Sequence, residues 1–375
     1  MGRHGYEEVL LVTGFPSFRG RKLVEHLLTT HPRALVHAVV HTKLAAAAEE
    51  AVGRLESSAR ERLVLLEGDA AAIDLGLSGG EYRALAGEID CIHHAAQVTY
   101  PGVSRDMAEQ VNVGAMREVI ELGRASAGLR RLVVHSSATV SGDREGLVLE
   151  EELAAGQHFR TPVEETLARA ERMARRAMAE LPITVIRPTQ IVGDSHTGEV
   201  DRFDGPYLLI LLIVSSPEEI PVLLPTRGDF PINLVPIDHV VRVADVIARS
   251  DAAVGRTFHV ADPRPLSARR VFELVAEAGG RRLPQSFLPA GLTRALLNAP
   301  GLRAVAKSPR AFLELMATPV TWDARGTREL LAGSALACPP FESYVDALVA
   351  YVKQRMEQRR HERAAPPGEP EDPLA

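Results

Sequence analysis

Cysteine is scarce in this chain: two in 375 residues, Cys91 and Cys338, far apart and in no metal-ligand spacing. That argues against a disulfide-built scaffold and leaves two reduced thiols as the expectation. His93 and His94 are adjacent rather than at zinc-ligand spacing, and no metal site is expected. Long apolar runs are missing too. The longest, 208–214, falls well short of the ~20 residues that cross a bilayer. No signal-peptide core precedes the first strand pattern. Basic excess is absent: 43 Lys plus Arg stand against 49 Asp plus Glu, a net charge of −6. Such a balance gives no electrostatic footprint for nucleic acid or an anionic membrane. The expectation is a cytoplasmic protein with a small-molecule substrate.

What is present is an ordinary globular composition, 46% hydrophobic and 25% charged, long enough for one large α/β domain or two modest ones. Strand and helix patterns alternate through the first half. Apolar runs at 8–12, 35–40, 63–66, 89–92, 132–135 and 183–186 read as strands. Segments 18–30, 45–58, 105–125 and 162–181 carry helical spacing. Alternation of this kind predicts a Rossmann-like, doubly wound parallel sheet covered on both faces. After Thr189 prolines multiply and the pattern loosens. A further strand is expected at 257–260, with helices at 240–249, 268–278, 308–316 and 341–359. Residues 7–188 are therefore read as a nucleotide-binding domain. Residues 189–360 are read as mostly a small C-terminal substrate-side lobe interleaved with further sheet elements. The proline-rich end, 361–375, is expected to be a disordered tail.

The chemistry begins where the first strand turns into the first helix. Gly14 and Gly20 bracket that turn as Gly-x-x-Ser-x-x-Gly, with Phe15, Ser17 and Phe18 between them. A pyrophosphate bound there would sit on a helix N-terminus, where free N–H groups and the helix dipole favour anions. Ser17 stands at the middle position, where a glycine is usual, and it either donates to a phosphate or crowds it. The alternative is a tight strand-to-helix turn with no ligand. The second strand ends in His41-Thr42-Lys43, with no carboxylate for a ribose 2′-hydroxyl. A basic Lys43 suits a 2′-phosphate instead, so NADP(H) is favoured over NAD(H). Asp69 after the third strand is placed to accept from an adenine amino group. Ala95 and Ala96 after the fourth let a cofactor lie against the sheet edge.

These motifs, with Asn112-Val113-x-Ala115, His135-Ser136-Ser137-Ala138-Thr139-Val140-Ser141-Gly142 and Arg187-Pro188, occur in the order seen in extended short-chain dehydrogenases/reductases. The chain resembles in particular the branch of thioester reductase domains and fatty acyl reductases. Leu75-Gly76-Leu77-Ser78, the segment from Ile191 to Gly198, Asn233 to Asp238, and Cys338-Pro339-Pro340-Phe341 carry that closer likeness. The resemblance spans roughly residues 7–353. It implies a cofactor frame that includes Pro188 and Ile191 and a catalytic tetrad of Asn, Ser, Tyr and Lys. Asn112 and Ser137 match the first two. Aligning Ala170-Glu171 with the family pattern puts Val163 where the Tyr belongs and Leu167 where the Lys belongs.

Val163 and Leu167 fall on one face of the 162–181 helix with Ala170, Ala174, Ala177 and Leu181. That stripe reads as packing against the sheet. Glu164, Glu165, Arg169, Glu171, Arg172, Arg175 and Arg176 are expected mostly on the opposite, solvated side. Glu165/Arg169 and Glu171/Arg175 would be i,i+4 pairs, which favours a monomer over a homodimer. His135 is expected to be a core histidine. His158 and Glu164 lie near the missing Tyr in sequence. Asp194, His196 and Glu199 read as a solvated loop, and 208–214 as a buried lobe helix in a region where an acyl chain would bind.

Two functions of different class follow. One is an NADP(H)-linked oxidoreductase acting on a carbonyl or acyl-thioester-like substrate, with Ser137 polarising the carbonyl. The other is a catalytically inactive relative that binds a nucleotide or lipid, or binds no nucleotide at all, and serves as a sensor or partner protein. A hydrolase on this sheet lacks its Gly-x-Ser-x-Gly turn.

Overall fold

The computed structural model describes residues 5–100, 102–203, 205–215, 228–281 and 319–364. The first half winds as β1 (Glu8–Thr13), α1 (Phe18–Thr30), β2 (Ala34–Val40), α2 (Ala45–Gly53), α3 (Ser57–Arg60) and β3 (Leu63–Glu67). It continues with α4 (Gly79–Glu88), β4 (Cys91–His94), α5 (Arg105–Ala108), α6 (Ala115–Ala125) and β5 (Arg131–His135). Next come β6 (Gly146–Val148), α7 (Pro162–Ala177), β7 (Ile183–Pro188) and β8 (Gln190–Val192). The remainder holds α8 (Tyr207–Ser215), β9 (Pro231–Ile232), β10 (Leu234–Pro236), α9 (Ile237–Arg249), β11 (Thr257–Val260), β12 (Leu266–Ser267), α10 (Ala268–Gly279) and β13 (Val320–Trp322). Helices Arg325–Leu330 and Val345–Ala364 close the described chain.

Seven strands form one sheet in the order β11-β7-β5-β4-β1-β2-β3, and every pairing in it is parallel. This is the doubly wound Rossmann-like architecture the alternation predicts. Its inner strands are largely apolar and buried along nearly their whole length because both faces are covered. Leu10, Val12, Val36, Ala38, Val133 and Ile186 pack on one face against α1 and α9. Leu11, Val39, Ile92, Leu132, Val134 and Val185 pack on the other against α4, α6 and α7. The strand order reverses between β1 and β4, and their C-terminal ends open the crevice where such sheets bind ligands.

A separate apolar cluster builds the lobe from Tyr207, Ile210, Ile213, Leu234, Val271, Val275, Leu348 and Val352. The 208–214 run is thus a lobe helix, α8. The helix expected at 308–316 lies outside the described residues. The last helix runs to Ala364, so residues 361–364 are helical where a tail was expected from 361. No described helix is long and apolar enough to cross a membrane.

Several elements were not anticipated: α4, β6, β8, β9, β10, β12, β13 and the helix Arg325–Leu330. Helix α4 follows a capping box in which Ser78 and Glu81 satisfy each other's backbone N–H groups. Strand β6 pairs in parallel with β13, some 170 residues later, in register Gly146↔Val320 to Val148↔Trp322. That pairing brings residues 323–327 against the sheet.

Candidate functional site

The crevice starts at the β1–α1 turn. Gly14 has φ +92°, and a Cβ there would stand 2.6 Å from the Ala95 carbonyl carbon. A Cβ on Gly20 would stand 2.6 Å from the Gly14 oxygen. Only glycine lets β1, α1 and the end of β4 meet this closely. Ser17 caps α1: its Oγ accepts from the Gly20 N–H at 3.2 Å. That bond uses a lone pair of the Ser17 oxygen and leaves its O–H free to donate. The Phe18 and Arg19 N–H groups belong to the first turn, for which a helix has no carbonyl of its own. Phe15 is buried and Phe18 half-buried, with the Arg21 guanidinium 5.7 Å from the Phe18 ring centre.

Thr13 ties the two strand ends together. Its Oγ1 accepts from the Ala96 N–H at 3.2 Å and lies 2.9 Å from His94 Nδ1. Ala95 and Ala96 are buried beside it, and the neighbouring Gln97 Oε1 is buried without a hydrogen-bond partner among the described residues. Small side chains, a glycine cradle and an orphaned amide oxygen at one strand edge fit a dinucleotide. At the adenine end, Asp69 Oδ1 accepts from the Ala71 N–H at 2.9 Å, holding the carboxylate in its turn. His41 Nδ1 accepts from the Lys43 N–H, and Lys43 itself is exposed just beyond β2. Pro188 ends β7, and Ile191 lies on β8 against the α1-side core.

At the reactive end Asn112 sits in a π-turn, Glu109–Gly114, between α5 and α6. Such turns recur at functional sites because they re-aim one side chain. Asn112 Oδ1 accepts from the Val98 N–H at 2.9 Å, and Nδ2 donates to the Val98 oxygen and to Thr166 Oγ1. It therefore links the loop after β4 to α7. Ser137 follows β5, half-buried; its Oγ accepts from the Thr139 N–H at 3.2 Å and lies 2.9 Å from Thr139 Oγ1. With Thr139 donating, the Ser137 proton is left to donate to a substrate oxygen. Neither Thr139 nor Thr166 was singled out in the sequence, although Ser-x-Thr is a signal for a side chain bonding a turn.

Val163 and Leu167 are 3% and 1% exposed, packed with Ala108, Val140, Leu153 and Ala168. Ala170, Ala174 and Ala177 pack against the sheet as expected. Val163 and Leu167 fall in a separate apolar cluster off it, and Leu181 lies beyond the end of α7 at Ala177. The charged face needs correction too. Glu171 is buried at the sheet, where Arg187 and Ser136 Oγ bond it. Burial raises the Glu171 carboxyl, yet Arg187 overrides this and holds it below the usual range. Glu164 is buried as well, bonded by the Arg160 N–H, and burial pushes its carboxyl up. Glu165 and Arg169 do not pair with each other. Glu165 bonds Arg105 and Arg169 bonds Glu109, which clamps α7 to α5 and the π-turn.

The remaining acid–base candidates do not converge on Ser137. His158 is exposed beside Asp143. His135 is fully buried, 3.3 Å from His93, and desolvation holds it well below its ordinary value; His93 and His94 are lowered to about 4. These imidazoles are neutral near pH 7. Asp194 and Glu199 do not form a free solvated loop: both pair with Lys22 on α1, at 3.3 and 2.7 Å. His196 is exposed next to them. Burial raises both thiols, Cys91 and Cys338, to about 12, so neither is reactive.

Comparison with known proteins agrees with this geometry. Residues 12–244 match the family model NAD_binding_4, described as male sterility protein. The chain is 26% identical over 250 residues to glycine betaine reductase ATRR of Emericella nidulans, covering 63% of this chain and 18% of that protein. It is 22% identical over 277 residues to fatty acyl-CoA reductase wat of Drosophila melanogaster, covering 61% of this chain and 52% of that protein. It thus spans about half or less of these relatives. Among solved structures, the terminal R domain of the myxalamid PKS-NRPS pathway superposes with a TM-score of 0.78 at 22% identity, over 94% of this chain and 92% of that one. The reductase domain of a nonribosomal peptide synthetase from Mycobacterium tuberculosis gives 0.72 at 19% identity, over 93% and 92%.

Proposed function

Since the chain belongs to the male sterility protein family of NAD-binding folds, an extended, thioester reductase-like short-chain dehydrogenase/reductase, we propose that it is an NADP(H)-linked oxidoreductase for carbonyl or acyl-thioester-like substrates. The observation that carries this reading is the assembly of the Gly14–Gly20 cradle, Asn112 and Ser137 around the C-terminal ends of β1, β4 and β5. The nicotinamide would supply hydride when bound. Gly14, Phe15, Ser17, Phe18 and Gly20 would hold its pyrophosphate, Asp69 the adenine, and Lys43 the 2′-phosphate. Ser137 donates to the substrate oxygen, and Asn112 holds the loop after β4 against α7. Val163 and Leu167 stand in place of the Tyr and Lys, so the proton comes from water or a group not yet identified. A general acid contributes typically ~10²–10⁴-fold, which leaves room for slow turnover by positioning alone. The protein would act as a monomer.

Titration with NADPH and NADH tests the reading, followed by hydride transfer to acyl thioesters and aldehydes. Binding of NADPH, with activity that Ser137→Ala removes, supports it. No binding of either nucleotide at millimolar concentration sinks it. The buried apolar pair Val163/Leu167 favours a second reading, a nucleotide-binding protein that no longer turns over. Activity that appears only in Val163→Tyr/Leu167→Lys would favour that one.

A further inference from the structure

Three cations lie within the first two turns of α1: Arg19, Arg21 and Lys22. A helix N-terminus disfavours positive charge, and this one has no acidic residue in its first turn. Two of the three are neutralised from the segment after β8. Arg21 pairs with Glu199 and Asp201, and Lys22 with Glu199 and Asp194. Arg19 has no carboxylate partner among the described residues. Its one hydrogen bond is a long one, Nη1 to the His135 main-chain oxygen at 3.3 Å. Around that carbonyl the groups are neutral imidazoles, His93 and His135. Desolvation lowers the Arg19 guanidinium to about 10, and no acid opposes the shift. Arg19 is half-buried at the crevice, and its guanidinium, bonded among the described residues only to a carbonyl, keeps donors free for an anion.

Its position says which anion. Arg19 starts beside the Gly14–Gly20 cradle and ends at the last residue of β5, two residues before Ser137. The side chain therefore crosses from the phosphate end of the crevice to the reactive end, passing the end of β4, which lies between β1 and β5 in the sheet. Resting on the dinucleotide reading above, we propose that Arg19 holds the cofactor pyrophosphate on its nicotinamide side and supplies the cation that Leu167 cannot. A guanidinium suits this role through its fork of donors to phosphate oxygens. Arg19 is a positioning residue here; the hydride path does not run through it.

The test compares dissociation constants of NADPH, NADH and ADP-ribose for wild type, Arg19→Met, Arg19→Lys and Lys43→Met, each with its melting curve. Arg19→Met is expected to weaken all three ligands about 10- to 100-fold, the range of a hydrogen bond to a charged group. Arg19→Lys should recover part of the loss, which a merely structural role would not require. Lys43→Met should weaken NADPH alone. Folded Arg19→Met that binds all three as tightly as wild type, or more tightly, overturns the assignment and leaves the dinucleotide reading standing. So does a loss that Arg19→Lys shares in full while remaining folded. Wild type that binds none of them overturns both.

Discussion

Glu171 on α7 and Arg187 on β7 form an ion pair shut away from solvent, with Arg187 Nη2 2.6 Å from Glu171 Oε1 and side-chain exposures of 1% and 0%. Ser136 and Arg175 add bonds to the same carboxylate, so its lone pairs are largely satisfied. The pair anchors the helix that carries Val163 and Leu167 to β7, one strand in from the edge of the sheet. Removing one partner leaves an uncompensated buried charge. Glu171→Ala or Arg187→Met should destabilise the fold by ~3–5 kcal/mol in denaturant unfolding. The double replacement Glu171→Met/Arg187→Met should cost less than either alone, and a simple sum of the two would show the pair to be uncoupled.

Gly14 tolerates no side chain. Gly14→Ala would place a methyl 2.6 Å from the backbone of Ala95 at φ +92°. The β1–β4 edge must then open. The expected result is a lowered melting temperature and loss of NADPH binding; wild-type values for both would contradict the cradle.

Asn112 makes three hydrogen bonds from its amide, to Val98 N, Val98 O and Thr166 Oγ1. Asn112→Leu keeps the branching at Cγ and strands those partners. We expect ~1–3 kcal/mol of destabilisation per polar group left unsatisfied. Faster amide exchange at Val98 should accompany it, because the loop after β4 loses its tie to α7.

Introducing the pair Val163→Tyr/Leu167→Lys places a hydroxyl and an ammonium among Ala108, Val140, Leu153 and Ala168. Overpacking alone should cost ~1–3 kcal/mol, before the buried charge is added. Without a ligand the double variant should melt below wild type. NADPH should close part of that gap, since binding to the folded state stabilises it.

Five buried histidines, His37, His93, His94, His239 and His259, are lowered to about 4 by desolvation. Unfolded, each titrates near ~6.5, so below that pH the unfolded chain binds more protons than the folded one. The stability they carry is complete above the unfolded value and falls away as pH drops towards 4. Melting temperature should be level from about pH 7 to ~8 and decline steeply between pH ~6.5 and about 4. Above pH ~8.5 the thiols of Cys91 and Cys338, which ionise first in the unfolded chain, should lower it again. His37→Leu should make the acid limb shallower, and an unchanged limb would remove His37 from the set.

Much of the fold was legible because strands buried on both faces read as short, mainly apolar runs, and all seven sheet strands overlap runs predicted from sequence. Helix α4 was missed because its pattern is weak, although Ser78-x-x-Glu81 was a readable start signal. The β6–β13 pair was invisible, since two three-residue strands far apart in the chain carry no local mark. The charges of α7 misled for a related reason. Helical spacing put Glu171 off the apolar stripe, but the partner that makes its burial tolerable, Arg187, comes from another element.

Residue order by itself determined the parallel sheet, the glycine turn at its switch point, and the apolar character of positions 163 and 167. Each depends on local periodicity or on the backbone freedom of a single residue type. Only the tertiary structure decided which charges are matched. It set Lys22 against Asp194 and Glu199, Arg187 against Glu171, and left Arg19 facing a carbonyl between the phosphate cradle and Ser137. Electrostatic pairing depends on distance and desolvation across elements far apart in the chain, and neither is written in a local pattern.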